Sequence, residues 1–287
     1  MLEIYANLGN TLNALQNALK IAIGNADNFN SPGYKYVSPS FTTVYQETLR
    51  DAGPNTNPVQ RGASMTLGHT TTDYSQGSVS GGGPLDAAIV GEGFFMLSRS
   101  SYDYGIGSPK AFTRAGNFMI DNANHFLVDS SARKVFGYKV NADGTIDRNL
   151  TPISTDGQRD VGFIENGILV GNFSARKNAL ASKDPNPPAH IPLYQLALTS
   201  FDNKQGLVPF DGSANVPTEA SGREFLPGIS EERGYGKVQG ESLEGSNIDV
   251  AKVALDMNQL SRGFAAVQGV IDDVNRTISN LLQAFTS

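Results

Sequence analysis

Cysteine and tryptophan are absent from the 287 residues, histidine occurs only three times, and just 17% of the chain is charged. Without cysteine there can be no disulfide staples, thiolate zinc sites, iron–sulfur ligands or cysteine nucleophiles. His69, His125 and His190 stand far apart, and none is spaced with a second histidine or a carboxylate as a zinc motif requires. Positive charge is scarce too: 22 Lys and Arg against 28 Asp and Glu give a formal net charge of −6 and a pI near 5.1. Nucleic-acid affinity comes mainly from clustered cations, and no such cluster occurs, so no nucleic-acid partner is expected. No apolar run approaches the roughly 20 residues that span a bilayer, so no membrane insertion is expected. The stretch from Met1 to Asp27 lacks the basic start and apolar block of a cleaved secretory leader.

Fragments of active-site motifs are present but incomplete. Gly81-Gly82-Gly83-Pro84 is followed by no Lys-Ser/Thr and by no helix start, so it reads as a turn feeding a strand. Gly91-Glu92-Gly93 lacks the third glycine of a dinucleotide fingerprint. Gly77-Ser78-Val79-Ser80-Gly81 places valine where a nucleophile elbow needs serine. Asp272-Asp273 falls on the polar face of a helical pattern, not across a cleft. No catalytic, cofactor-binding or metal-ligating residue is nominated, and an enzyme is not expected.

What is present is a division between helical ends and a strand-rich middle. Near the C-terminus Val250, Val253, Met257, Leu260, Phe264, Val267, Ile271, Val274, Ile278, Leu281 and Phe285 alternate in steps of three and four. Asp249, Lys252, Asp256, Arg262, Asp272, Asp273 and Arg276 all fall off that stripe, which is the pattern of a coiled-coil seam. Ser246, Asn247 and Asp249 supply helix-start chemistry. Near the N-terminus Met1, Tyr5, Leu8, Leu12, Leu15, Leu19, Ala22, Ala26 and Phe29 repeat in the same way, and the helix should stop at Asn30-Ser31-Pro32-Gly33. Neither helix has a partner of similar length elsewhere, so the expectation is that the two ends pair with each other.

Residues 31–69 read as an extended linker, with alternating segments at Tyr34–Val37 and Phe41–Tyr45. Between them the helical ends, 1–30 with 247–287, enclose a β-rich region over 70–246, whose stretch 147–192 is the hardest to read. Short strands are expected at Ala87–Val90, Phe94–Leu97, Phe112–Arg114, Phe118–Ile120, Phe126–Val128, Val135–Val140, Ile153–Thr155, Gly162–Ile164, Ile168–Val170 and Leu193–Phe201. Lys177 to His190, with three prolines, reads as a surface loop. The fold class is thus a mainly β central body with long terminal α-helices pairing as a coiled coil.

Several segments resemble the bacterial flagellar axial proteins, the family that builds the rod and the hook. Asn25 to Asn30 followed by Ser31, Pro32, Gly33, Tyr34 and Lys35 is similar to the family's Asn-rich, Thr-Pro-Gly-Tyr/Phe-Lys signature. Gln76-Gly77-Ser78, then Pro84, Leu85 and Asp86 through Gly93, Phe94 and Phe95, then Phe112-Thr113-Arg114-Ala115-Gly116-Asn117-Phe118, look like its β-domain core. Gln239 to Asp249, with Glu244, Ser246 and Asn247, is similar to the approach to its C-terminal helix. After that approach Arg262 and Phe264 match the family pattern, whereas its Gln and Asn are missing.

The resemblance implies a non-enzymatic structural subunit without cofactors. In the family, terminal helices pair and pack against neighbouring subunits around a narrow export channel, with the β-domain outside. The implied partners are further copies of the chain, adjacent axial proteins, an assembly cap and the flagellar type III export apparatus, which passes subunits without cleaving a leader. The packing residues are then Leu8, Leu12, Leu15, Leu19, Val253, Met257, Leu260, Phe264, Val267, Ile271, Val274 and Ile278. Asn57 to Gly62, Val135 to Tyr138 with Asp143 to Ile146, and Asn166 to Gly171 resemble the hook protein more than rod proteins. A short hook subunit is therefore expected, with a distal rod subunit, suggested by length, as the alternative. A non-flagellar β-protein on a helical stalk is the reading outside the family.

Overall fold

The computed structural model describes residues 2–50, 59–99, 111–141, 143–155, 157–184 and 186–286, leaving aside the side chains of 2–3, 44–50, 59–63 and 286. Met1 of the N-terminal repeat and Asn57-Pro58 of the hook-like segment lie outside the described residues.

The chain runs through α1 (Leu2–Asp27), β1 (Val37–Arg50), β2 (Val59–Thr72), β3 (Val79–Gly81), β4 (Ala87–Val90), β5 (Phe94–Leu97), β6 (Ala111–Thr113), β7 (Met119–Ile120), β8 (Leu127–Val128), β9 (Phe136–Val140) and β10 (Ile146–Pro152). It continues with β11 (Val161–Phe163), β12 (Ile168–Gly171), α2 (Phe173–Ala181), β13 (Ile191–Leu196), β14 (Leu198–Thr199), β15 (Val208–Asp211), β16 (Ala214–Val216), β17 (Lys237–Gly240), β18 (Ser242–Glu244) and α3 (Val250–Thr286). The fold is mainly β, with a long helix towards each end. Two compact units result, one made of Met1–Phe29, Tyr36–Asp73 and Ile248–Ser287, the other of Asn30–Lys35 and Tyr74–Asn247.

In the first unit α1 packs against both α3 and the two-stranded ribbon of β1 and β2. Two partners need a wider buried face than a two-in-seven seam, and alanines provide it. Ala14, Ala18 and Ala22 are buried together with Leu15, while Leu8, Leu12 and Leu19 are partly buried. Ala26 and Phe29, expected on the stripe, are exposed; α1 stops at Asp27, so Phe29 lies beyond it. The ribbon pairs Val37 with Thr72 and Phe41 with Leu67, so part of the segment read as a linker is regular antiparallel structure.

Helix α3 starts where its capping chemistry places it: Asp249 Oδ1 accepts from the N–H of Ala251 at 2.9 Å. At ~1.5 Å per residue its 37 residues reach about 55 Å. Val253 is buried, and Met257, Leu260, Phe264, Val267, Ile271, Val274 and Ile278 are each partly buried, most of them between exposed neighbours. The outer members of the stripe are open, with Leu281 49% and Phe285 86% exposed.

The second unit contains two five-stranded antiparallel sheets, in the orders β10-β9-β13-β12-β11 and β14-β5-β6-β16-β15, with smaller pairs β17-β4, β18-β3 and β7-β8. Strand β5 shows why an unbroken apolar run marks a strand inside the body. Its alternate residues Phe95 and Leu97 enter one core with Ile89, Leu127, Ile153, Phe163, Leu169, Leu196 and Val238. Phe94 and Met96 enter a second core with Phe112, Phe136, Tyr138 and Phe201. Both faces are buried, so both parities are apolar. Edge-to-face ring pairs, such as Phe112 with Phe201 at 4.8 Å and Phe95 with Phe118 at 5.2 Å, fix the packing.

Two local expectations differ from the structure. The first residues of the segment Lys177 to His190 are the last turns of α2, which begins beyond it at Phe173 and is started by Asp160 accepting from the N–H of Ser174 and of Ala175. The strand expected at Ile153–Thr155 is replaced by β10, which ends at Pro152 and leaves a single bridge between Ser154 and Phe126.

Candidate functional site

Four chain segments that are distant in sequence meet inside the β-rich unit around the carboxylate of Glu244, which is fully buried. The first is the turn Pro32-Gly33-Tyr34-Lys35. Lys35 Nζ donates to Glu244 Oε1 at 2.6 Å and to the carbonyl of Ser75 at 2.8 Å. The second is Gln76-Gly77, whose Gly77 N–H donates to the same Oε1 at 3.0 Å. From the third, Arg114 Nε donates to Oε2 at 3.0 Å. The fourth is β18 itself, and the Glu244 carbonyl accepts from the N–H of Gly33 at 2.8 Å.

The cluster holds two cations against one carboxylate. Backbone dipoles take up the surplus positive charge: Arg114 also donates to the carbonyls of Gly91 and Gly93 at 2.8 Å each and of Ile89 at 3.1 Å, and to Gln76 Oε1 at 3.2 Å. Burying ions this deeply is tolerable only when every lone pair and proton has a partner. Glycine is needed where strands approach. Gly33 has φ +65°, and a Cβ there would overlap the backbone of Ala115, while a Cβ on Gly116 would overlap the Ala87 carbonyl.

The remaining motif residues take other structural places in the same unit. Gly93 lends its carbonyl to Arg114, Phe94 and Phe95 begin the central strand, Leu85 packs on the first core, and the Pro84 carbonyl accepts from Phe163. Asp86 Oδ2 accepts from the N–H of Gly83 at 2.7 Å, closing the Gly-rich turn that the sequence offers as a phosphate loop. Asn247 Nδ2 donates to Ser75 Oγ at 3.1 Å, and Tyr34 is pushed up in pKa by burial. Ser246 is partly buried beside them in sequence. Lys35 and Gln76 stand within the quoted motifs but were not singled out. Their signal was a lone cation and a lone amide beside glycine in segments otherwise poor in charge.

The helical unit carries its own polar lock. Asn25 Nδ2 donates to the Val37 carbonyl at 2.7 Å and Asn25 Oδ1 accepts from the Val37 N–H at 3.0 Å, joining α1 to the start of the ribbon. Tyr36 Oη donates to Asp256 Oδ2 at 2.7 Å, and Lys252 Nζ lies 4.0 Å from the centre of the Tyr36 ring. Burial, then the Asp256 hydrogen bond and charge, push the Tyr36 phenol up to about 12. The stripe residues from Leu8 to Leu19 of α1 and from Val253 to Ile278 of α3 are buried or half-buried, whereas Val250 and Leu281 at the ends of the α3 stripe are exposed, as are most intervening positions of α3.

His190 remains in a loop, stacked on Phe173 at 6.4 Å with its pKa lowered by burial. Among the described residues no group of histidines and carboxylates could hold a metal ion. No described helix is long and apolar enough to cross a membrane.

One unit holds two long amphipathic helices with an open apolar stripe, and the other, β-rich unit is locked by a buried ionic cluster. No family model matches the chain. The flagellar basal-body rod protein FlgG of Agrobacterium fabrum is 29% identical over 277 residues, covering 93% of this chain and 94% of that protein. FlgG of Bacillus subtilis is 25% identical over 295 residues, covering 97% and 98%. The flagellar hook protein FlgE of Helicobacter mustelae is 28% identical over 227 residues, covering 73% of this chain and 48% of the hook protein. With the motifs, these similarities support a place for the chain in the flagellar axial protein family, whose named relatives here are rod and hook proteins.

Proposed function

We propose that the chain is a structural subunit of the flagellar hook, polymerising through its terminal helices into a tube around the export channel and carrying motor torque. The observation that supports this is the stripe on α3: over Met257 to Ile278 the chain's own α1 leaves each seam residue only partly buried, so further helices are needed to cover it. Residues 1–30 and 247–287 act as the inner coiled-coil domain, 31–69 as the connection and 70–246 as the outer domain. The subunit passes through the flagellar export apparatus without cleavage, assembles beneath a cap and contacts adjacent axial proteins.

A rod subunit is the second reading, favoured by a specific observation. The chain spans 94% and 98% of two FlgG rod proteins but 48% of the FlgE hook relative. The hook reading rests on the hook-like segments from Val135 to Ile146 and from Asn166 to Gly171. Because the chain has no cysteine, a Lys183→Cys variant can be labelled at one exposed site. Electron microscopy of hook–basal bodies should then show label on the curved segment outside the envelope. Label confined to the straight shaft assigns the chain to the rod, and label on neither contradicts both readings.

A further inference from the structure

Helix α2 is nine residues long and is held chiefly by contacts at its first turn. Isolated helices of this length are marginal in water, so those contacts decide whether it stays docked. Phe173 is buried, and its ring lies so close to Gly162 of β11 that a Cβ there would overlap it. Asp160 caps the turn through the N–H groups of Ser174 and Ala175. The chain returns to β13 alongside the same turn, where Arg176 donates to the Pro188 carbonyl at 3.0 Å and Asn172 Nδ2 to the Ala189 carbonyl at 3.3 Å. Lys177 pairs with Glu241 and lies 5.6 Å from the centre of the Phe173 ring.

His190 closes this arrangement. Its ring stacks on Phe173, and its Nδ1 is buried with no hydrogen-bond partner among the described residues. In a charged imidazole both nitrogens are donors, so Nδ1–H becomes a buried donor without an acceptor. The charged groups on the elements packed around the ring are Asp160 before β11, Arg176 and Lys177 on α2, and Glu241 after β17. Asp160 already accepts from two backbone N–H groups, and Lys177 is paired with Glu241. Burial first, and the Arg176 charge second, hold the His190 pKa below its ordinary 6.5, against the Gly171 backbone hydrogen bond and the Asp160 charge.

We propose that His190 is an acid-sensitive latch: protonation of its ring releases the first turn of α2 from β11 and uncovers Phe173, while both five-stranded sheets stay folded. The direction follows from proton linkage. A histidine that protonates more readily in the open form stabilises the closed form above pH 6.5, and that contribution is lost as pH falls below 6.5 until the folded pKa is reached. Over that interval Arg176 and Lys177 stay cationic. Asp160, held low by the Ala175 and then the Ser174 hydrogen bonds, stays anionic, so the change of charge falls on the ring. The latch lies wholly within the β-rich unit and does not depend on how the chain assembles.

The test is hydrogen exchange on the full chain at about pH 7.5 and about pH 5.5, with rates corrected for the intrinsic pH dependence of exchange. One pH unit below the open-form pKa, linkage allows at most about a tenfold rise in the opening constant. The expected result is that α2 amides lose protection several-fold, up to that limit, at the lower pH, with β5, β9 and β13 unchanged. His190→Phe keeps a stacking ring without a titrating nitrogen and should abolish the loss. His190→Gln, which removes the stack as well, should leave α2 less protected but equally so at both pH values. Equal protection of α2 at both pH values in the unmodified chain overturns the latch. A loss that persists in either variant overturns the role of His190, and a loss shared by both sheets shows general acid unfolding in its place.

Discussion

Glu244 shows how much structure one side chain can carry. Its carboxylate receives Lys35, Arg114 and the Gly77 amide, so replacing it by an uncharged isostere leaves two buried cations without their anion. Breaking one side of a buried pair costs about 3–5 kcal/mol. Glu244→Gln should destabilise the β-rich unit by that amount in urea unfolding followed by tyrosine fluorescence. A loss below about 1 kcal/mol, the value of a surface pair, would contradict the assigned role. Tyr36 gives a prediction that depends on pH. Its folded pKa of about 12 lies above the phenol's ordinary value of 10.0, so the folded state favours the protonated phenol. Its stabilisation is complete below pH 10 and is lost as pH rises towards 12. Tyr36→Phe should flatten the alkaline decline in helix stability, measured by circular dichroism against pH, and an unchanged decline would assign it to another group. At this scale the motif letters pointed to Arg114 and Glu244, yet their meeting is tertiary and no spacing along the chain encodes it.

Among the elements, those with an uninterrupted local signal were legible. Strands β4 and β5 occupy Ala87–Val90 and Phe94–Leu97 as read, because burial on both faces makes the whole strand apolar. Helix α3 was legible from its stripe and its Asp249 cap. The ribbon of β1 and β2 was harder to read because its partners are set by antiparallel register and by support from α1, and Ser, Thr and Gly interrupt its apolar residues. Helix α2 has almost no apolar periodicity and is held by Asp160 and by the burial of Phe173, signals that come from outside the element. The wider face of α1 was hidden because Ala14 and Ala18 look neutral until two partners are known. The stripe on α3 makes its own prediction. Phe264→Asp places a charge on the half-buried seam. Sedimentation should show the polymer lost, while the near-ultraviolet signal of the β-rich unit stays unchanged. Normal assembly would show that this face is not a packing surface.

For the whole molecule the two units have different sources of stability. The β-rich unit contains its own cores and its own ionic lock, and so is equipped to fold alone. The helical unit exposes much of its apolar surface, including Leu255, Val270, Leu282 and Phe285. Helices of this kind gain most of their stability from packing and little from propensity. Copies of the chain that supply that packing should order the helices as they assemble. The most direct test is hydrogen exchange on the full chain, as dilute monomer and as polymer. We predict that amides of α1 and α3 exchange about 100-fold or more slowly in the polymer, with the β-rich unit equally protected in both states. Full protection of both helices in the dilute monomer, unchanged on polymerisation, would contradict the account.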